Sequence, residues 1–216
     1  MATSTRPHNP ITFIYFDIGG VLIDDFSNND KWQALKTELG VTAEKRAAFE
    51  QLWSQYEPEI VTTRNVETLV PILRQKLTLD IPTGYSLLQA FTNRFHANPS
   101  IWPAVEVARQ KARVGLLTNM YPCMFATLEA RNILPSIEWD TVIDSSLEGL
   151  AKPDEKLFAL AEQRATAHGQ QILFIDNSPG HVSAAEQFGW QAYLYDSSDH
   201  VVSSERLATF IAKLAV

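Results

Sequence analysis

Ile11 to Phe16 is a short apolar run that ends in Asp17, and the arrangement returns twice, in Val114 to Leu117 ahead of Thr118 and in Ile172 to Ile175 ahead of Asp176. Apolar runs of strand length, with no polar alternation, need burial on both faces, which a parallel sheet between two helical layers provides. A polar side chain that closes such a run lies at the carboxyl edge of the sheet, where open α/β folds bind ligands. Asp17 is followed by Gly19-Gly20, which lets main-chain groups approach whatever its carboxylate touches.

Between these runs the periodicity is helical. From Asp30 to about Ala97 no convincing strand is expected. Trp32, Leu35 and Leu39 recur at helical spacing, as do Phe49, Leu52, Trp53 and Tyr56, then Val66, Leu69, Val70 and Leu73, then Leu87, Leu88, Phe91 and Phe95. Four amphipathic segments predict a small helical bundle with these aromatics mainly in its core; Pro71 either kinks the third segment or marks its start. Past Trp102-Pro103 helix and strand alternate. Helices are expected at about 103–112, 123–131, 154–167, 179–188 and 204–214, and strands at 114–118, 141–143, 171–175 and 191–195. The fold expected is α/β: a Rossmann-like three-layer core with a parallel sheet, residues 11–26 and 100–216, and an inserted helical cap, residues 27–99. Residues 1–10 are expected to form a loose tail.

At 216 residues one core and one modest insertion are expected. The net charge is -7 and the basic residues are scattered, which argues against nucleic acid as a partner. No apolar run approaches the roughly 20 residues of a membrane span, and the first ten residues lack the apolar centre of a signal peptide. A single cysteine, Cys123, permits no internal disulfide and fits a reducing cytoplasm; it reads as a small buried side chain.

Lys152-Pro153 follows a glycine-containing loop, with the proline suited to a first helical turn. Asp17, Thr118, Lys152 and Asp176 therefore appear in the order nucleophile, hydroxyl, ammonium and second carboxylate. In this order and context the chain resembles the haloacid dehalogenase superfamily, over about Thr12 to Tyr195. It looks closest to the helical-capped phosphatase branch that includes bacterial glucose-1-phosphate phosphatase. The resemblance implies a phosphatase in which Asp17 forms an aspartyl phosphate, with Thr118, Asn119 and Lys152 binding the phosphoryl group and Thr118 and Lys152 aiding its transfer. It also implies Mg²⁺ held by Asp17, the Gly19 carbonyl and Asp176, with Asn177 where a further acid often stands. The expected substrate is a small phosphorylated metabolite, a sugar phosphate above all, and the expected state a monomer or weak homodimer.

Gly19 departs from the pattern. Most phosphatases of this superfamily carry there a second Asp that protonates the leaving oxygen and then activates water, a service worth roughly 10²- to 10⁴-fold. Its absence predicts a bias toward good leaving groups, such as anomeric and acyl phosphates; the glucose-1-phosphate phosphatase group also has glycine there. Asp24 and Asp25 in the following flap are open to the missing role, with a solvated turn as the plainer reading. His96 and His181 read as surface or structural residues, and Ser178-Pro179-Gly180 as a helix entry. Two rivals stand beside the phosphatase. One is a 2-haloacid dehalogenase, in which Asp17 displaces halide without metal; the other is a non-catalytic binder of a phosphorylated ligand.

Overall fold

A computed structural model describes residues 10–214. In chain order it contains β1 (Phe13–Phe16), β2 (Ile23–Asp24), α1 (Lys31–Glu38), α2 (Arg46–Ile60), α3 (Leu69–Leu77), α4 (Leu87–Thr92), β3 (His96–Ala97), α5 (Trp102–Lys111) and β4 (Arg113–Thr118). Then follow α6 (Met124–Ala130), β5 (Thr141–Asp144), α7 (Ser145–Glu148), α8 (Glu155–Ala165), β6 (Ile172–Asp176), α9 (Pro179–Phe188), β7 (Gln191–Leu194) and α10 (His200–Ala212). Of the tail expected at 1–10, only Pro10 lies within the described residues.

Five strands form one parallel sheet in the order β5-β4-β1-β6-β7. The strand side chains alternate between two cores, as the period of two requires. Ile14, Phe16, Val114, Leu116, Leu173 and Ile175 face the core shared with α5 and α10, while Phe13, Tyr15, Leu117, Ile172 and Phe174 face the core with α8 and α9. Fully burying one such Phe or Leu contributes about 1.5–3 kcal/mol, so each face is secured by several of them. Close packing also explains Gly115: a Cβ there would lie 2.8 Å from the Thr141 carbonyl oxygen and 3.0 Å from the Phe13 ring.

The topology places the site. From β1 the chain moves outward through β4 and β5, then returns to the other side of β1 for β6 and β7. The three strands ending in Asp17, Thr118 and Asp176 are thus neighbours with their carboxyl ends together. The Asp17 N–H donates to the Ile175 carbonyl at 2.9 Å, extending the β1–β6 pairing to the nucleophile position.

The stretch 31–92 holds α1 to α4, and its aromatics pack on one another as expected: Trp32 lies 4.9 Å from Trp53 and 5.8 Å from Phe49 between ring centres, and Trp53 lies 5.9 Å from Phe91. Pro71 occupies the first turn of α3 after a 3-10 turn, Val66–Thr68, where its missing N–H costs no helical bond. Several expectations need correction. The fourth segment is only six residues long, and Phe95 lies beyond it. His96–Ala97 is a short strand paired antiparallel with Ile23–Asp24, in a stretch expected to have none. α10 begins four residues earlier than expected because the Asp199 carboxylate accepts the Val202 N–H at 3.1 Å. Pro153 does not open a helix: α8 begins at Glu155, and Asp154 caps it through the Lys156 N–H at 2.9 Å. Cys123 is exposed, not buried; it precedes α6 with φ +70°, and this left-handed backbone turns it out of the core.

Candidate active site

Lys152 is fully buried and lies between two carboxylates, with its Nζ 2.9 Å from Asp17 Oδ1 and 2.7 Å from Asp176 Oδ2. Burying a charge is tolerated only when it is paired, and a single ammonium here serves two acids that the strand order brings together. The lysine is aimed through its main chain. Asn119, just past β4, accepts the Lys152 N–H at 2.8 Å and donates to the Lys152 carbonyl at 2.9 Å. Asn119, which the sequence puts at the phosphate, lines the cavity above the strand ends, and its side-chain amide also holds the lysine loop.

Asp176 has both oxygens in use. Oδ1 accepts the Ser178 N–H at 2.7 Å, and Oδ2 faces Lys152 and, at 3.1 Å, His181 Nδ1. Ser178 in turn caps α9, in agreement with its reading as a helix entry. His181, which the sequence gives as a surface or structural residue, is partly exposed, contacts Asp176 and lines the cavity. The available signal was its position in the first turn of a helix that starts just after a strand-end acid. His96, by contrast, is exposed. The side chain of Asn177 does not reach Lys152; it lies against Gly20 and donates to Ser197 Oγ at 3.4 Å.

The electrostatics follow from two acids sharing one cation away from water. Burial pushes the Asp17 carboxyl up to about 6 against the pull of Lys152, and the Asp176 charge adds to the rise. Burial acts on Asp176 in the same sense, but Lys152 and His181 outweigh it and hold that carboxyl below the usual carboxylate range. Burial alone would weaken the Lys152 ammonium, whereas its two acidic partners strengthen it, leaving it above its ordinary value.

Thr118 carries the remaining observation. Its hydroxyl is buried and, among the described residues, has no hydrogen-bond partner. A buried polar group left unpaired costs about 1–3 kcal/mol. Thr118 ends β4, the strand beside β1, and so lies at the same sheet edge as Asp17 and Asp176.

Above the strand ends lies a cavity of about 850 Å³. Its floor includes Asp17, Asn119 and Lys152, its roof Glu57, Pro58, Val61 and Thr62 from the end of α2 and the turn after it, and one wall Asp25, Phe26 and Ser27. The size suits a small molecule, and the charged floor beneath a partly apolar roof fixes which end of it faces Asp17. Burial raises the Asp25 carboxyl, partly offset by hydrogen bonds from Ser27.

A metal would find oxygen donors here: the Asp17 and Asp176 carboxylates and the Gly19 carbonyl. Among the described residues no cluster of three acidic, histidine or cysteine side chains offers a ready-made cage. That donor set fits Mg²⁺, which accepts few protein oxygens and completes its shell with water. Among the described residues no helix is long and apolar enough to cross a membrane.

The sequence model described as haloacid dehalogenase-like hydrolase matches residues 11–189. Phosphatase MT3486 of Mycobacterium tuberculosis is 26% identical over 200 residues, 87% of this chain and 88% of that protein. The mouse acyl-CoA dehydrogenase family member 10 is 26% identical over 215 residues; the match takes in 94% of this chain but only 20% of that protein's length. Among solved structures, a haloacid dehalogenase family enzyme of Bacteroides thetaiotaomicron in complex with magnesium and inorganic phosphate superposes with a TM-score of 0.66 at 18% identity, over 88% of this chain and 96% of the other. The L-2-haloacid dehalogenase of Xanthobacter autotrophicus gives 0.61 at 21% identity, over 95% and 89%. At such identities the structures attest the shared fold, whereas the family model spans most of the sequence: the chain belongs to the haloacid dehalogenase-like hydrolases.

Proposed function

We propose that this protein is a Mg²⁺-dependent phosphatase of a small phosphorylated metabolite, a sugar phosphate above all, with residues 27–99 as the cap over the site. The observation that carries the reading is the unpaired buried hydroxyl of Thr118 at the same sheet edge as a lysine-bound strand-end aspartate. A phosphoryl group supplies the acceptor this donor lacks and the dianion that Lys152 balances. The phosphatase relative supports the same assignment.

In this reading Asp17 attacks phosphorus, the bond to the leaving oxygen breaks, and an aspartyl phosphate forms that water later hydrolyses. Thr118 donates to a phosphoryl oxygen. Lys152 offsets the negative charge that accumulates as carboxylate meets phosphate, and Asn119 fixes the loop that carries it. Asp17, Asp176 and the Gly19 carbonyl would hold Mg²⁺, which when bound would add positive charge to the site. The roof contributed by α2 keeps bulk water from the phosphoryl group while it is in transit.

A second reading, a metal-independent 2-haloacid dehalogenase, is favoured by one observation: both Asp176 oxygens are satisfied by protein donors. The two are separated by phosphate release from glucose-1-phosphate, glucose-6-phosphate and acetyl phosphate, with magnesium and with chelator, beside halide release from 2-chloropropionate. Magnesium-dependent phosphate release that Asp17→Asn abolishes is the expected result. Halide release without metal would establish the second reading. Phosphate turnover unchanged in Asp17→Asn would remove Asp17 as the nucleophile.

A further inference from the structure

Gly19 leaves the position of the second motif acid without a side chain, but the space beside it is filled. A Cβ built on Gly19 would lie 2.6 Å from Asp25 Oδ2 and 3.5 Å from Asp25 Cγ. In any aspartate the carboxylate oxygens stand about 2.4 Å from their own Cβ, two bonds away. Asp25 thus brings an oxygen to the distance from position 19 at which an aspartate there would hold its own.

The carboxyl is held by its surroundings. Its Oδ1 accepts the Ser27 N–H at 2.8 Å, and its main-chain carbonyl accepts from Asn29 Nδ2 at 2.8 Å. The preceding residues pair with Ala97 and His96. The following residue, Phe26, packs edge-on against Phe91 and Phe95 at 5.4 and 5.0 Å. Asp25 is half-buried and lines the same cavity as Asp17 and Lys152, with its Oδ2 on the Gly19 side.

We propose that Asp25 is the general acid and base of this site, delivered from the flap to the place that Gly19 leaves vacant. The assignment rests on the phosphatase reading. As the Asp17 oxygen bonds to phosphorus and the ester bond breaks, the leaving oxygen takes the Asp25 proton and departs as an alcohol. The Asp25 carboxylate then takes a proton from water, whose oxygen bonds to phosphorus while the bond to Asp17 breaks. Inorganic phosphate leaves, and both aspartates return to their starting forms. With an acid in place, simple alkyl monoesters are within reach, and the bias toward good leaving groups expected from Gly19 disappears.

The test compares kcat/KM for glucose-6-phosphate, whose alkoxide leaving group needs a proton, with that for p-nitrophenyl phosphate, whose leaving group does not. In the full-length protein Asp25→Asn, which keeps an oxygen for the Ser27 N–H, is expected to lose about 10²- to 10⁴-fold on the sugar phosphate and less than about tenfold on the aryl ester. Because the base is also gone, the aryl ester should give a burst of about one nitrophenolate per protein before a slow steady state. Asp25→Ala combined with Gly19→Asp returns a carboxyl to the same place, and Gly19 has no positive φ to forbid the side chain; this pair is expected to recover most of the loss. Equal losses on both substrates, no loss on either, or a folded pair as impaired as Asp25→Ala alone would overturn the role of Asp25. A wild-type protein that releases phosphate from neither substrate would overturn the phosphatase reading itself, and this assignment with it.

Discussion

Replacing Lys152 by Met tests whether one buried ammonium holds the floor of the site together. The side chain is fully buried, 2.9 Å from Asp17 and 2.7 Å from Asp176, and methionine keeps its unbranched apolar stem while removing its charge. Deleting one partner of a buried ion pair costs about 3–5 kcal/mol, because the charge left behind has no compensation. For a chain of this size each kcal/mol moves Tm by about 2–4 °C, so a fall of about 6–20 °C is expected. The pH dependence has a definite sign. In the wild type Asp176, held below its usual value, contributes stability above pH 3.8 that is lost as pH falls through its folded-state value. Asp17, raised from 3.8 to about 6, withdraws stability as pH rises across that interval, since the folded state keeps a proton the unfolded chain releases. Without the lysine both carboxyls move upward, so the penalty is largest above about pH 6 and shrinks toward about pH 4. Adding Asp176→Asn to Lys152→Met removes one of the two stranded charges and should recover a substantial part of the loss. Thermal and urea unfolding in chelator, at about pH 7.5 and about pH 5, measure all of this. A penalty under about 1 kcal/mol, a penalty independent of pH, or a double variant no more stable than the single one would refute the account of the lysine as the shared counter-charge.

Two further outcomes follow from the same geometry. Thr118→Val removes the unpaired hydroxyl and should stabilise the ligand-free protein by about 1 kcal/mol while lowering phosphate-ester kcat/KM by about 10- to 100-fold; a loss of both stability and activity, read from unfolding and steady-state kinetics, would mean the hydroxyl has a structural partner. Gly20→Ala places a Cβ 2.0 Å from Asn177 Nδ2 at a backbone φ of +69°, so left-handed strain and overlap together should cost about 2–5 kcal/mol in urea unfolding; a variant within experimental error of wild type would contradict the close approach of these two loops.

The parts of the fold readable in the sequence were those with local physical causes. Ile172 to Ile175 announced a doubly buried strand because every side chain in it avoids water, and Pro179 after Ser178 announced a helix entry because a cap and a first-turn proline act within a few residues. The order of Asp17, Thr118, Lys152 and Asp176 was equally plain, since each follows or precedes a local signal. What lay beyond the sequence were relations across distance. The exposure of Cys123 was not legible because its left-handed backbone depends on how the turn after β4 is packed, and the partner of His181 was not legible because its contact with Asp176 depends on the direction in which α9 leaves the strand.

Taken by itself, the sequence determined an alternating α/β chain with polar groups closing its buried strands, because hydrophobic periodicity and capping act over spans of a few residues. The tertiary structure alone decided that β1 lies between β4 and β6, so that a single lysine serves two aspartates, and that Asp25 stands beside Gly19. Strand order and flap position are set by the summed packing of segments far apart in the chain, and no local pattern encodes where two side chains will meet.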